Sequence, residues 1–142
     1  MRLFKQVTIV GLGLIGGSLG MALRRRRLAG TVVGLSRRAS TLRRAKARGA
    51  IDIGMRDARR AVRDTDLVVL ATPVVAIVPE AIRLARFMRS GSVLTDVGSS
   101  KAQIVRSLER VLPRDVKFVG AHPLAGSEQQ GIDAARADLF EG

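Results

Sequence analysis

The chain has 142 residues, enough to bury one sizeable core, and 46% of them are hydrophobic but only 3% aromatic. The core is therefore aliphatic, and an aromatic stacking surface for single-stranded nucleic acid is hard to build. Cysteine is absent, which removes disulfides, zinc knuckles and thiol nucleophiles together, and no apolar run approaches the roughly 18 residues of a membrane span.

The net charge of +13 rests mainly on arginine, lysine occurring only at Lys5, Lys46, Lys101 and Lys117. Most of the arginines sit among alanine and leucine in helical stretches, as at Arg24, Arg43, Arg59 and Arg83. That placement fits solvated helix faces better than a nucleic-acid surface, although a positive field would also draw an anionic cofactor and substrate. The N-terminal residues pass straight into an apolar strand without a cleavage site. A cytoplasmic protein with neither membrane nor nucleic-acid partner is expected.

In chain order, residues 6–10 form a short β-branched apolar run that reads as a buried strand feeding a glycine turn. Residues 14–28 have helical character, end in four arginines suited to the negative pole of a helix, and are stopped by Gly30. Residues 31–35 are a second buried strand. Ser40 or Thr41 can cap a helix running to Gly49, a candidate C′ glycine. A short strand at 51–53 and a short helix at 57–63 come next, and Asp64 and Asp66 bracket the turn into a strand at 67–71 that Pro73 breaks. Residues 74–88 read as helix, with Pro79 in its first turns or marking its start. A strand at 92–96, a helix at 101–112 and a strand at 117–121 complete the pattern.

Strands alternate with helices, and the strands are continuous apolar runs, so they are buried on both faces of a mainly parallel sheet. The expected fold is α/β, a doubly wound Rossmann sheet in a single domain spanning residues 1–142.

The turn Gly11-Leu12-Gly13-Leu14-Ile15-Gly16 has the spacing that places a dinucleotide pyrophosphate on a helix N-terminus, with a strand before it and a helix after it. Gly11 permits the turn, Gly13 the approach of the pyrophosphate and Gly16 the packing of helix on strand. Gly17 and Ser18 extend the small-residue surface, and the Ser18 hydroxyl could add a donor. After the second strand, where an NAD site carries Asp or Glu, the sequence reads Ser36-Arg37-Arg38, with Ser40 and Thr41 following. Guanidinium groups pair with a 2′-phosphate, so NADP is expected and NAD is the alternative. Thr72-Pro73 ends a strand beside the expected switch point, where a place along the nicotinamide and a simple strand-breaking role fit equally.

His122, the only histidine, follows the last strand in Gly120-Ala121-His122-Pro123-Leu124-Ala125-Gly126. A strand end on the ligand crevice suits an acid/base group that polarises a hydroxyl as its hydride leaves. Thr95-Asp96-Val97-Gly98-Ser99-Ser100-Lys101 supplies a second strand end, where Ser99 or Ser100 could donate to a substrate or cap the next helix. No serine-hydrolase elbow and no carboxylate-histidine metal cluster is present in the sequence.

The glycine turn, the Thr95–Lys101 segment and the Gly120–Gly126 segment together resemble the prephenate/arogenate dehydrogenase family, as does the tail from Gln130 through Phe140. The first motif is shared with many β-hydroxyacid dehydrogenases; the serine-lysine and histidine-proline motifs, in this order, are far more specific. The resemblance implies NAD(P)-dependent oxidative decarboxylation of prephenate to 4-hydroxyphenylpyruvate or of arogenate to tyrosine. His122 matches the residue that polarises the 4-hydroxyl, and Ser99 its serine partner. The family's helical C-terminal domain, which forms the homodimer and closes over substrate, is not in this sequence, so the resemblance implies nucleotide binding with little or no turnover from residues 1–142 alone. The competing readings are another Rossmann hydroxyacid dehydrogenase or reductase, against which the histidine-proline motif argues, and a non-catalytic nucleotide-binding module.

Overall fold

The computed structural model describes residues 2–97, 101–120 and 131–140, with residues 101–103 described by backbone alone. Strands β1 (Phe4–Val10), β2 (Ala29–Leu35), β3 (Ile53–Met55), β4 (Leu67–Leu70), β5 (Val93–Asp96) and β6 (Lys117–Gly120) alternate with helices α1 (Leu14–Arg25), α2 (Ala39–Ala47), α3 (Ala58–Val62), α4 (Val74–Ala85) and α5 (Lys101–Val111). The strands form one sheet in the order β3-β2-β1-β4-β5-β6, and every pairing is parallel. This is the doubly wound Rossmann order. Its chain reverses direction of travel between β1 and β4, which opens a crevice at their C-terminal ends.

Both faces of the sheet are covered, which is why the strands read as unbroken apolar runs. Val10, Val33, Leu35, Val68, Leu70 and Leu94 pack with Ile77, Leu84 and Leu108 on one side. Val7, Ile9, Val32 and Val69 pack with Met21, Leu23, Leu42 and Ile132 on the other. Side chains as buried as Ile9 and Leu70, both at 0% exposure, contribute roughly 1.5–3 kcal/mol each relative to exposure. A buried polar latch adds specificity: the Thr8 hydroxyl lies 2.6 Å from the Ala61 carbonyl and 2.8 Å from the Thr65 hydroxyl, fixing β1 against the end of α3. Asp66 accepts from the Lys5 and Gln6 backbone N–H groups at 2.7 and 3.1 Å and pairs with Arg89, tying β1 to the start of β4. Asp64, by contrast, is exposed, with Arg63 at 3.5 Å.

Several boundaries differ from the sequence expectation, each for a local reason. Helix α1 stops at Arg25, not residue 28, because Arg27 takes a left-handed φ of 55°. Arg27 N–H then donates to the Arg24 carbonyl and Leu28 N–H to the Leu23 carbonyl, the paired bonds of a Schellman cap. Gly30 already lies inside β2. The third strand is Ile53–Met55 rather than 51–53: Ile51 is drawn into the core at 1% exposure, while the Asp52 carboxylate accepts from Val32 N–H and Arg24, both at 2.8 Å. Neither Ser40 nor Thr41 caps α2; its N-cap is Arg38, with no side-chain cap bond, whereas Gly49 sits past the far end at φ 80° as expected. Pro79 lies within α4, which begins at Val74 and ends at Ala85, short of residue 88. The bond that Pro79 cannot donate would have reached Val75, a residue 87% exposed, so its carbonyl can be hydrated.

A 3-10 turn at Ile132–Ala134 was not anticipated from the sequence. It straps the segment after residue 131 across α1 and α2. Arg48 donates to the Ala135 carbonyl at 2.6 Å, and Arg44 pairs with Asp133 at 2.5 Å.

Candidate cofactor site

The site is built where β1, β2 and β4 end. Val10 leads into Gly11, whose φ of 95° carries the chain back toward α1. A Cβ on Gly11 would stand 2.6 Å from the Ala71 carbonyl oxygen, and one on Gly16 would stand 1.9 Å from the Gly11 oxygen. These two glycines let β1, α1 and β4 meet at backbone distance. Gly13 differs: a Cβ there would meet nothing within 4 Å. It faces open space at the N-terminus of α1, where no side chain caps the helix and no acidic residue occupies the first turn. The first-turn N–H groups, including those of Leu14, Ile15 and Gly16, lie at the positive pole of the helix, a setting that favours an anion. The residues present therefore fit a pyrophosphate.

A crevice of about 410 Å³ opens beside this turn, with Gly11, Ser36, Arg37, Thr72 and Pro73 on its walls. Ser36 is held by its N–H to the Met55 carbonyl at 3.2 Å, and its hydroxyl accepts from Arg38 N–H at 3.2 Å. Arg37 is exposed, and its guanidinium has no carboxylate partner among the described residues. Among the described residues, the buried Thr72 hydroxyl has no hydrogen-bond partner. An orphaned polar atom on the wall of a crevice is costly unless a ligand or water satisfies it.

Of the residues singled out in the sequence, the structure thus brings Gly11, Ser36, Arg37, Thr72 and Pro73 around one space, while Gly13 is the N-cap of α1 and Leu14, Ile15 and Gly16 form its first turn. Arg38 and Thr41 are not on its walls; they stand at the N-cap and third residue of α2. Ser18 is fully buried, and its hydroxyl accepts from Arg136 N–H at 2.9 Å. That bond ties α1 to the strap. Ser99 and His122 lie outside the described residues.

Three charged wall residues were not singled out as site residues from the sequence: Arg56, Glu80 and Arg83. Glu80 and Arg83, one helical turn apart on α4, form a forked pair at 2.7 and 3.2 Å. Arg56 follows β3 and reaches the site because β3 lies beside β2. Only the strand order reveals this.

A larger open pocket, about 570 Å³, lies elsewhere, lined by Arg2, Arg24, Arg27, Arg48 and Asp52 among others. It presents arginines to an anion but no helix N-terminus to seat a pyrophosphate. It gathers the last turn of α1 and the residues just past α2, where helix dipoles present carbonyl oxygens, and Arg24 is already committed to Asp52 and the Gly49 carbonyl.

The family described as "Prephenate dehydrogenase, nucleotide-binding domain" matches residues 19–142. The chain belongs to this family. Cyclohexadienyl dehydrogenase of Zymomonas mobilis is 37% identical over 142 residues, covering 99% of this chain and 48% of that protein. The crystal structure of prephenate dehydrogenase from Aquifex aeolicus in complex with hydroxyphenyl propionate and NAD+ superposes with a TM-score of 0.87 at 32% identity, over 100% of this chain and 48% of that one. Synechocystis arogenate dehydrogenase gives a TM-score of 0.86 at 35% identity, over 95% and 46%. The chain therefore spans less than half the length of each of these relatives. Membership agrees with the glycine turn and with the Rossmann strand order, and it makes this chain a nucleotide-binding domain.

Proposed function

We propose that residues 1–142 are the cofactor domain of an NADP-preferring prephenate or arogenate dehydrogenase. The observation that carries the reading is a crevice shared by Gly11, which leads into the open Gly13 and the uncapped α1 N-terminus, and by Arg37, whose guanidinium has no carboxylate partner among the described residues. The Aquifex aeolicus relative is titled with NAD+, which supports the cofactor class. Preference for NADP rests on Ser36 and Arg37 standing where an NAD site would place a carboxylate. Gly11, Gly13 and Gly16 with the first turn of α1 would hold the pyrophosphate, and Ser36 and Arg37 the ribose 2′-phosphate. The Thr72 hydroxyl and Pro73 would line the nicotinamide side.

When bound, the nicotinamide supplies a hydride acceptor. On the substrate, hydride leaves C4 of the cyclohexadienol, the ring carboxylate departs as carbon dioxide, and the ring aromatises to a phenol. In this reading His122 accepts a hydrogen bond from the 4-hydroxyl, draws its proton as the oxygen becomes carbonyl-like and gives it back when loss of carbon dioxide aromatises the ring, with Ser99 holding the oxygen in place. The remaining length found in the relatives would supply the other substrate contacts and the homodimer.

The test is turnover in a protein that carries residues 1–142 within a chain of the relatives' length. Prephenate or arogenate should drive NADP reduction, and His122→Asn should abolish it with NADP affinity retained. Full activity in that variant would overturn the role given to His122, and no reduction with either substrate would overturn the assignment.

A further inference from the structure

We propose that Arg56 is a second cation for the 2′-phosphate and so a determinant of NADP specificity, an inference that rests on the NADP reading above. Arg56 stands one residue beyond β3, whose register sets Met55 opposite Leu35. This places it across from Ser36 and Arg37 at the same end of the sheet. Its Nε donates to the Arg37 carbonyl at 3.0 Å. One N–H thus anchors the side chain on the loop that carries Arg37.

Arg37 and Arg56 line the 410 Å³ crevice together, and they also border a second open space beside Asp57. Asp57 forms no ion pair with either guanidinium; its carboxylate accepts from Arg60 N–H at 3.2 Å as the cap of α3, so one negative charge faces the two positive ones at the border of this space. Among the described residues, no carboxylate forms an ion pair with either guanidinium. Two like charges held on one small patch repel each other unless an anion sits between them, and a phosphate dianion presents oxygens to both. NAD, with a hydroxyl in that position, offers no such partner. The contribution of Arg56 therefore falls on the ratio of the two affinities, whereas a general positive field would raise both alike.

The experiment titrates the chain with NADP, NAD, 2′,5′-ADP and ADP by calorimetry, in the wild type, Arg56→Ala and Arg56→Gln. The glutamine variant keeps a neutral N–H donor for the loop while removing the charge. Both variants should weaken NADP and 2′,5′-ADP by about tenfold, as expected for one charge-assisted contact, and change NAD and ADP by less than about twofold. Equal weakening of phosphorylated and unphosphorylated ligands would show that Arg56 merely props the Arg37 loop, and unchanged NADP affinity would show that it takes no part; either overturns the proposal. A wild type that binds NAD as tightly as NADP would instead overturn the NADP reading, and this inference with it.

Discussion

Replacing Gly13 by alanine separates the binding role of the glycine turn from its structural role. The backbone at Gly13, with φ −93° and ψ −149°, is not left-handed, and a Cβ would meet nothing within 4 Å. The protein itself should accept the methyl group, at a cost of about 0.5 to 1 kcal/mol for alanine at a helix N-cap. A pyrophosphate seated on α1 would have to retreat from that methyl and lose one or two charge-assisted N–H contacts. At about 1.5 to 3 kcal/mol each, with partial recovery by tilting, the loss is about 2 to 4 kcal/mol, or roughly 30- to 1000-fold in Kd. Gly16→Ala should sort the opposite way. Its methyl would lie 1.9 Å from the Gly11 oxygen and 3.1 Å from Ala71 Cβ, so backbone must move, at about 1 to 3 kcal/mol or more of folding stability. Urea unfolding and NADP calorimetry on both variants provide the two readouts. A Gly13→Ala protein that binds NADP like the wild type would refute the assignment of Gly13 to the pyrophosphate, and a Gly16→Ala protein of unchanged stability would refute the packing argument.

Arg27→Gly should stabilise the fold by about 0.5 to 1 kcal/mol, since glycine adopts the left-handed C′ position of α1 without the Cβ penalty; an unchanged or lower urea midpoint would contradict this. Thr8→Val should destabilise by about 1 to 3 kcal/mol, because it strips the buried Ala61 carbonyl and Thr65 hydroxyl of a partner, and a neutral substitution would show that water or Gln6 replaces it. Gly17→Val should lift the strap from α1, its Cβ falling 2.5 Å from Ile132 Cδ1 and 3.0 Å from Ala135 Cβ. Hydrogen exchange at the Ala135 amide should accelerate while that of β1 stays slow, and unaltered exchange at Ala135 would contradict the packing.

The fold was legible because its signals are local. Strands β1, β2 and β4 each hold an apolar run with glycine, proline or aspartate close to one end, and Gly49 announces the end of α2 by the one residue type that suits a left-handed backbone. Helix α1 ends in the same cap with arginine at the equivalent place, so no letter marked Arg27, and Gly30 drew the boundary too late. Ile51 and Ile53 look alike in sequence; the core claims the first and the sheet edge the second, a choice made by tertiary packing. Within the site, Gly11, Gly13, Gly16 and Ser36-Arg37 follow from spacing along one βαβ unit. Arg56, Glu80 and Arg83 arrive from a neighbouring strand and from α4, and only three-dimensional adjacency gathers them. Ser18 shows the converse: its place near the turn suggested a phosphate donor, yet its hydroxyl is buried against the Arg136 backbone.

The proposed NADP seat lies at the C-terminal ends of β1, β2 and β4. Backbone amide NMR of the chain titrated with NADP tests it most directly, because the two candidate pockets sit on different parts of the molecule. The largest shifts should fall on Gly11, Gly13, Ile15, Ser36, Arg37 and Thr72, with the Ser36 and Arg37 shifts much reduced when NAD replaces NADP. Shifts centred instead on Arg2, Gly30, Gly49 and Asp52, the lining of the arginine-rich pocket, would contradict the account.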